Sequence, residues 1–234
     1  MLAWEASTRF GIVPQSRLPL LSDVIYTLLG LISNYDFLGR VLQSFLNLTL
    51  GIFLAVAVAL PLSLLAGLKG RIDLALTPLI MLLGALPDLA LLPVMVVWIG
   101  PGNLAAIAMA SICAFFPVYF TVREGMKDIP RDLFYVAHVF GSGRLAKLRK
   151  VIMPAISPHL FTGLRLSFDF VWEVVLAIEM IARVTGIGTL IESSISSGSV
   201  EVAFAGIVAV GIIAITIDRV IFGLLEDWLR RWIE

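Results

Sequence analysis

The sequence predicts an all-α membrane protein, a bundle of about five transmembrane helices with a helical cytoplasmic segment between the third and fourth. Three observations predict it. The 234-residue chain is 59% hydrophobic and 15% charged, with a mean hydropathy of +1.00, whereas a soluble domain is about 45–50% apolar and about 25% charged. Several apolar stretches reach the roughly 20 residues that a membrane-crossing helix needs. Basic residues gather at alternate loops, as they do on the cytoplasmic side of a membrane. The formal net charge is zero, which gives no bias toward nucleic acid. The lone cysteine, Cys113, lies in an apolar run, so neither an intrachain disulfide nor a cysteine metal site is indicated. No basic region followed by an apolar core opens the chain, so no cleavable signal is read in MLAWEASTRFGIVPQSR. With no linker and no internal repeat, residues 1–234 read as one transmembrane domain.

Residues 1–40 read as an external or interfacial segment, with Leu18 to Ser33 a surface or interfacial helix carrying Asp23. Leu46 to Leu68 is the first span, apolar apart from Asn47, Thr49 and Ser63, and Lys69 and Arg71 mark its inner end. Leu74 to Ile99 is the second, containing Pro78, Pro87 and Pro93. Pro87, Asp88 and Pro93 break it at mid-depth, which a membrane tolerates where backbone lines protein or a cavity, so Pro87 and Asp88 are candidates for a gate. The uncharged loop GPGN lies outside. Leu104 to Val122 carries no charge and returns the chain inside at Arg123, Lys127 and Arg131.

Leu160 to Ala182 is less obvious, because it holds Arg165, Asp169, Glu173 and Glu179, and each charge at mid-span costs about 2.5–3.5 kcal/mol. At about 100° per residue, Arg165, Asp169, Trp172, Glu173, Leu176, Glu179 and Arg183 fall within about 120° of arc. One polar stripe opposite an apolar face suits a helix that faces a polar interior on one side. These residues are candidates for a translocation pathway or gate, and Arg165 can pair with Asp169 one turn along. The loop RVTGIGTLIESSISSGSVE then lies outside, and Val202 to Leu225 crosses back to Arg230 and Arg231. The loop charges alternate consistently only with five crossings and the N-terminal segment outside.

Residues 123–159 are therefore a cytoplasmic segment. Its first part, DIPRDLFYVAHVFGSG, reads as a short helix with Asp128 as N-cap, Pro130 in the first turn and Gly141 and Gly143 at its end. Its body is apolar for a solvent loop: Leu133, Phe134, Tyr135, Val136, Ala137, Val139 and Phe140. Such a helix packs on the protein's own rim or fits a groove on a partner. Arg144 to Met153 is a basic amphipathic helix carrying Arg144, Lys147, Arg149 and Lys150, which Pro154 and Pro158 break before the membrane is re-entered.

Tyr135 to Pro154 reads Y-V-A-x3-G-x9-V-x-M-P. This resembles the E-A-A-x3-G-x9-I-x-L-P pattern of permease subunits of ATP-binding-cassette importers. Ala137, Gly141 and Pro154 match, Val151 and Met153 are conservative changes, and Tyr135 and Val136 depart, with Asp132 supplying an acid one turn earlier. PLIMLLGALPDLALLPVMVVWIGPGN, AFFPVYFTVREGMKDIP, TGLRLSFDFVWEVVLAIEMI and GIGTLI resemble the nitrate/sulfonate/taurine/bicarbonate branch, which also includes carriers of vitamin precursors.

The resemblance implies a coupling helix, Asp132, Leu133, Phe134, Tyr135, Val136, Ala137, His138, Val139, Phe140 and Gly141, seated in a groove of a separate ATPase. It implies a second permease copy, two ATPase subunits that bind ATP and Mg, an external substrate-binding protein and a bacterial or archaeal inner membrane. It also implies no cofactor in this chain and a structural or gating role for Glu179. Permeases of this branch have a further span before the part that resembles Trp4 to Arg17, which would make six. The chain has no G-x-x-x-x-G-K-[ST] phosphate loop. His138 and His159 have no partners at metal-ligand spacing, so no metal site is expected. A secondary transporter driven by an ion gradient is the alternative that the carboxylates of the stripe allow. An intramembrane enzyme lacks any Ser/His/Asp or HExxH constellation.

Overall fold

The computed structural model describes residues 2–226, and no strand occurs among them. Two short helices, α1 (Leu2–Arg9) and α2 (Leu21–Ile32), precede the long α3 (Tyr35–Leu68). Glu5 holds the pair together, because its carboxylate accepts the Leu21 N–H at 2.9 Å at the open N-terminus of α2. The surface helix expected in this region is thus formed, with Val24 and Leu28 buried on the flank of the bundle.

Asn34 caps α3 by accepting the Asp36 N–H. The helix begins well before the expected first span, and its 34 residues amount to about 51 Å, against about 30 Å of hydrocarbon. Its buried face reads Ser44, Asn47, Leu48, Gly51, Ala55, Ala59, Ser63 and Ala66. Small residues about four apart let two backbones approach closely, which is how helices associate where lipid is as apolar as the side chains. The partner is α6 (Asn103–Lys127), which offers Ala105, Ala106, Ala110 and Ala114. A side chain at Gly51 would run into Ala110. Helix α6 packs equally closely on α9 (Met153–Ala182).

Between α3 and α6 the second span is two helices, α4 (Gly70–Gly84) and α5 (Asp88–Ile99), bent by 90°. The break falls at Ala85–Pro87, with Pro87 at the N-cap of α5. Pro93 sits inside α5 and does not break it, because a helix in a bundle can re-satisfy the single acceptor a proline frees. The 15 residues of α4 rise only about 22 Å, so the crossing is not a single straight helix.

The segment expected to be cytoplasmic holds α7 (Arg131–Val139) and α8 (Arg144–Lys147). Asp128 is not the N-cap of α7: it closes α6, its N–H bonding to Glu124, and Pro130 takes the cap position. Pro154 and Pro158 do not break the chain either, since α8 runs through a π turn (Leu148–Ile152) straight into α9. The wider turn, with the Met153 N–H bonding back to Leu148, makes room for the Pro154 ring where an α turn would clash. The expected outer loop is itself partly helical, α10 (Ile187–Ser196), followed by α11 (Val200–Ile217) and a second π turn (Asp218–Phe222). Arg230 and Arg231, expected at the inner end, lie outside the described residues.

Three helical runs are long and apolar enough to cross a membrane, Tyr35–Leu68, Asn103–Lys127 and Val200–Glu226, and the two bent pairs bring the number to five. Their directions are fixed by polar contacts. Asp73 meets Arg123, Asp128 meets His159, and Arg165 meets Asp218, which gathers the expected inner ends at one end of the bundle. Ser44, Glu179 and Gly188 meet at the other.

Candidate functional site

Helix α7 divides its apolar residues between two faces. Ala137 is buried and Phe134 half-buried against the bundle. Leu133, Tyr135, Val136, Val139 and Phe140 are exposed, Val139 at 83% and Phe140 at 81%. The helix ends in a double hydrogen bond, Gly141 N–H to His138 at 2.9 Å and Ser142 N–H to Ala137 at 2.9 Å. This C-terminal motif needs a left-handed residue, and Gly141 has φ +63. Gly141 turns the chain away and leaves Phe140 standing at the tip. Asp132 and His138 lie on the exposed surface of the same helix.

Between α4 and the end of α6 lies a network that sequence reasoning missed. The Arg123 guanidinium bonds both oxygens of Asp73, the second at 2.8 Å. Lys127 reaches Asp73 at 3.1 Å and the Thr77 hydroxyl donates to it at 2.6 Å. Arg123 also pairs with Glu124. With both side chains of the Asp73–Arg123 pair 13% exposed, this contact ties the broken span to α6. His159 meets Asp128 at 3.2 Å and covers Gly125. Asp128, three residues before α7, is thereby tied to α9.

At the outer end, Glu179 is 0% exposed. Its Oε2 accepts the Ser44 hydroxyl at 2.9 Å and the Gly188 N–H at 3.0 Å, while the Ile187 N–H donates to Ser44 Oγ at 3.0 Å. The carboxylate caps the positive end of α10, directly at Gly188 and through Ser44 at Ile187. Asn47 lies against the same carboxylate, and Gln43 donates to Asn47 at 3.1 Å. A side chain at Gly186 would collide with the Glu179 carboxylate, and one at Gly188 with the Leu176 carbonyl. That is why the segment GIG carries glycines here. Ser44 and Asn47 sit on the small-residue face of α3, a spacing that could have revealed them.

The polar stripe of α9 does not stay together. Trp172 and Glu179, at one edge of the arc, are buried, with Trp172 stacked on Phe168 at 5.9 Å. Leu176 is half-buried in the core. Asp169 and Glu173, at the other edge, are exposed on this chain. Arg165 does not pair with Asp169. It bonds Asp218 through two nitrogens, at 2.8 and 3.0 Å, and reaches Glu226 at 3.4 Å, because Asp218 lies across from it and offers both oxygens to the flat guanidinium. A cavity of about 400 Å³ lined by Arg165, Asp169, Ala214, Ile215, Asp218 and Arg219 adjoins this pair.

The 90° break bearing Pro87 and Asp88 opens a larger cleft, about 770 Å³, with Leu54, Val58, Leu83, Met95, Trp98 and Phe115 among its walls. Its one hydroxyl, that of Ser111, already donates to the Ile107 carbonyl, and no charged side chain lines the cleft, so it is poorly suited to a polar solute. Asp88 turns instead toward Cys113.

Known proteins match this architecture. The protein SsuC of Bacillus subtilis, named for aliphatic sulfonates transport as a permease, is 29% identical over 98% of this chain and 83% of its own length. A protein named as an ABC transporter permease in Methanocaldococcus jannaschii is 32% identical over 86% of this chain and 75% of its own. The taurine transport system permease TauC of Escherichia coli is 28% identical over 93% and 81%. In shape the chain is similar to one in the inward-facing methionine ABC transporter MetNI, with a TM-score of 0.68 over 86% of this chain and 97% of that one at 16% identity. The family model for the binding-protein-dependent transport system inner membrane component matches residues 47–234, a stretch that takes in the bent span, the exposed α7 and Glu179 with Gly188. The chain is a multi-pass permease subunit and belongs to the family of binding-protein-dependent transport system inner membrane components.

Proposed function

We propose that this permease works as one of two copies in an ATP-driven importer of the bacterial or archaeal inner membrane, with a separate pair of ATPase subunits holding ATP and Mg. Its solute is small and polar or anionic, of the sulfonate, taurine, bicarbonate or nitrate kind that relatives are named for. An external binding protein delivers it. The observation that carries the reading is the outward apolar face of α7. Leu133 and Val136 on this nine-residue helix and Phe140 at its C-cap recur at helical spacing. They stand at the end of the bundle that the loop charges assign to the inside, where a partner groove rather than lipid would receive them. The ties Asp73–Arg123 and Asp128–His159 would carry a push on that helix to α4, α6 and α9. Asp169 and Glu173 would line the solute route from α9, with the break at Pro87 and Asp88 acting as a gate.

The test is Val136→Asp in the permease co-expressed with its genomic ATPase. Val136 is 52% exposed, so the chain should insert as before. The ATPase should no longer co-purify, and uptake should stop. Normal ATPase recovery and uptake would remove α7 from the coupling role.

A further inference from the structure

Besides Asp218 and Glu226, which it contacts, Arg165 has a further carboxylate nearby that it does not bond. It is bound across the helix pair to Asp218 at 2.8 and 3.0 Å. Asp169, four residues along its own helix, makes no hydrogen bond and no ion pair among the described residues. Both acids and the guanidinium line one cavity, with Arg219 on its far wall. Asp218 opens the π turn of the last span and Phe222 closes it. Phe222 packs on Phe161 and Phe168, with ring centroids 5.8 and 5.6 Å away. One irregular turn therefore supplies both the ionic and the aromatic contact that hold the inner ends of α9 and α11 together. Such turns recur at functional sites.

We propose that Arg165 is a switch between two carboxylates that forms a cytoplasmic-end gate: paired with Asp218 it clamps α9 to α11, and released it is neutralised by Asp169 on its own helix. This rests on the permease reading above. Arg165 lies about 7 Å, five residues at about 1.5 Å each, inside the start of its span. A guanidinium inside a span favours a carboxylate partner, so a second acid within reach lets α11 move away at lower cost. Asp169 is placed one helical turn away, where Arg165 can reach it without any movement of α9. A strong pairing across the helices and a weaker one within reach on the same helix make a contact with two states, the element that a gating motion needs. Parting α9 from α11 would widen the polar cavity toward the cytoplasm, which is where an imported solute must leave.

The test is cytoplasmic maleimide labelling of Ala214→Cys, on the cavity wall, in a Cys113→Ala background. It uses membranes holding the complete transporter, with and without ATP plus the solute-loaded binding protein. Asp218→Asn should raise resting labelling by about tenfold, the effect of about 1.4 kcal/mol on an open–closed equilibrium. Asp169→Asn should keep resting labelling low and abolish the rise that ATP and binding protein produce in the parent. Equal labelling in all three chains, or a full rise in Asp169→Asn, overturns the switch. If Asp218→Asn fails to assemble, the Asp169→Asn result decides alone, in the same two senses. If the ATPase never joins the parent chain, the function proposed above fails, while the resting difference between Asp218→Asn and parent still reads the clamp in the permease by itself.

Discussion

Ser44→Ala should weaken this protein far more than the loss of one hydroxyl suggests. The side chain is 0% exposed and serves two bonds at once, donating to Glu179 at 2.9 Å and accepting from the Ile187 N–H at 3.0 Å. Alanine leaves a buried carboxylate short of a donor and a helix N-terminus short of an acceptor. At about 1–3 kcal/mol for each buried group left unsatisfied, the loss is about 2–6 kcal/mol. Interhelical bonds in membranes average only about 0.6 kcal/mol, because the separated helices find other partners, so two bonds set a floor of about 1 kcal/mol. The upper part of that range is expected, since the Ile187 N–H belongs to the first turn of α10 and has no other acceptor. The assay is denaturant unfolding in detergent, with Ser193→Ala as reference. Ser193 is exposed and its hydroxyl only reaches Leu190 at 3.1 Å, so that change should stay within about 0.5 kcal/mol. Ser44→Ala matching Ser193→Ala would refute the claim that Glu179 and Ser44 hold α10 to α3 and α9.

Glu179→Gln should cost about 1–3 kcal/mol, because one oxygen still accepts from Ser44 and Gly188 while a buried NH2 without an acceptor replaces Oε1; Glu179→Leu, which also removes the acceptor, should cost more in the same unfolding assay. Arg123→Ala removes the main partner of Asp73 but leaves Lys127 at 3.1 Å, so it should destabilise by about 2 kcal/mol, below the about 3–5 of a buried pair broken outright. Arg40→Ala, whose partner Asp36 is 68% exposed, should cost less than about 0.5 kcal/mol in a parallel melt. In a Cys113→Ala background, Lys147→Cys and Arg149→Cys should escape an impermeant maleimide in intact cells and react with it in inside-out vesicles, and Ser196→Cys should show the reverse.

Spans, their number and the presence of a short helix before Gly141 were legible in the sequence because they follow from local quantities. Run length, loop charge and the spacing from Ala137 to Gly141 and Pro154 do not depend on which helices meet. The break at Pro87 was legible for the same reason, although its 90° angle was not: a proline removes one donor, and the neighbours decide how far the chain then turns. Pro154 misled, since only the π turn before it shows that the helix can run through. The polar stripe was legible as a periodicity but not as a site. A hydrophobic period assigns one arc to one environment, yet three neighbours divide the arc of α9, burying Trp172 and Glu179 and leaving Asp169 exposed. The choice of Asp218 over Asp169 by Arg165, of Ser44 and Gly188 by Glu179, and of Arg123 by Asp73 joins residues 9 to 135 positions apart. Local rules for charge pairs reach three or four residues along a helix. Beyond that range the packing of small residues on α3 and α6 sets which side chains face each other, and so only the tertiary structure could decide which carboxylates hold the bundle and which one stays free.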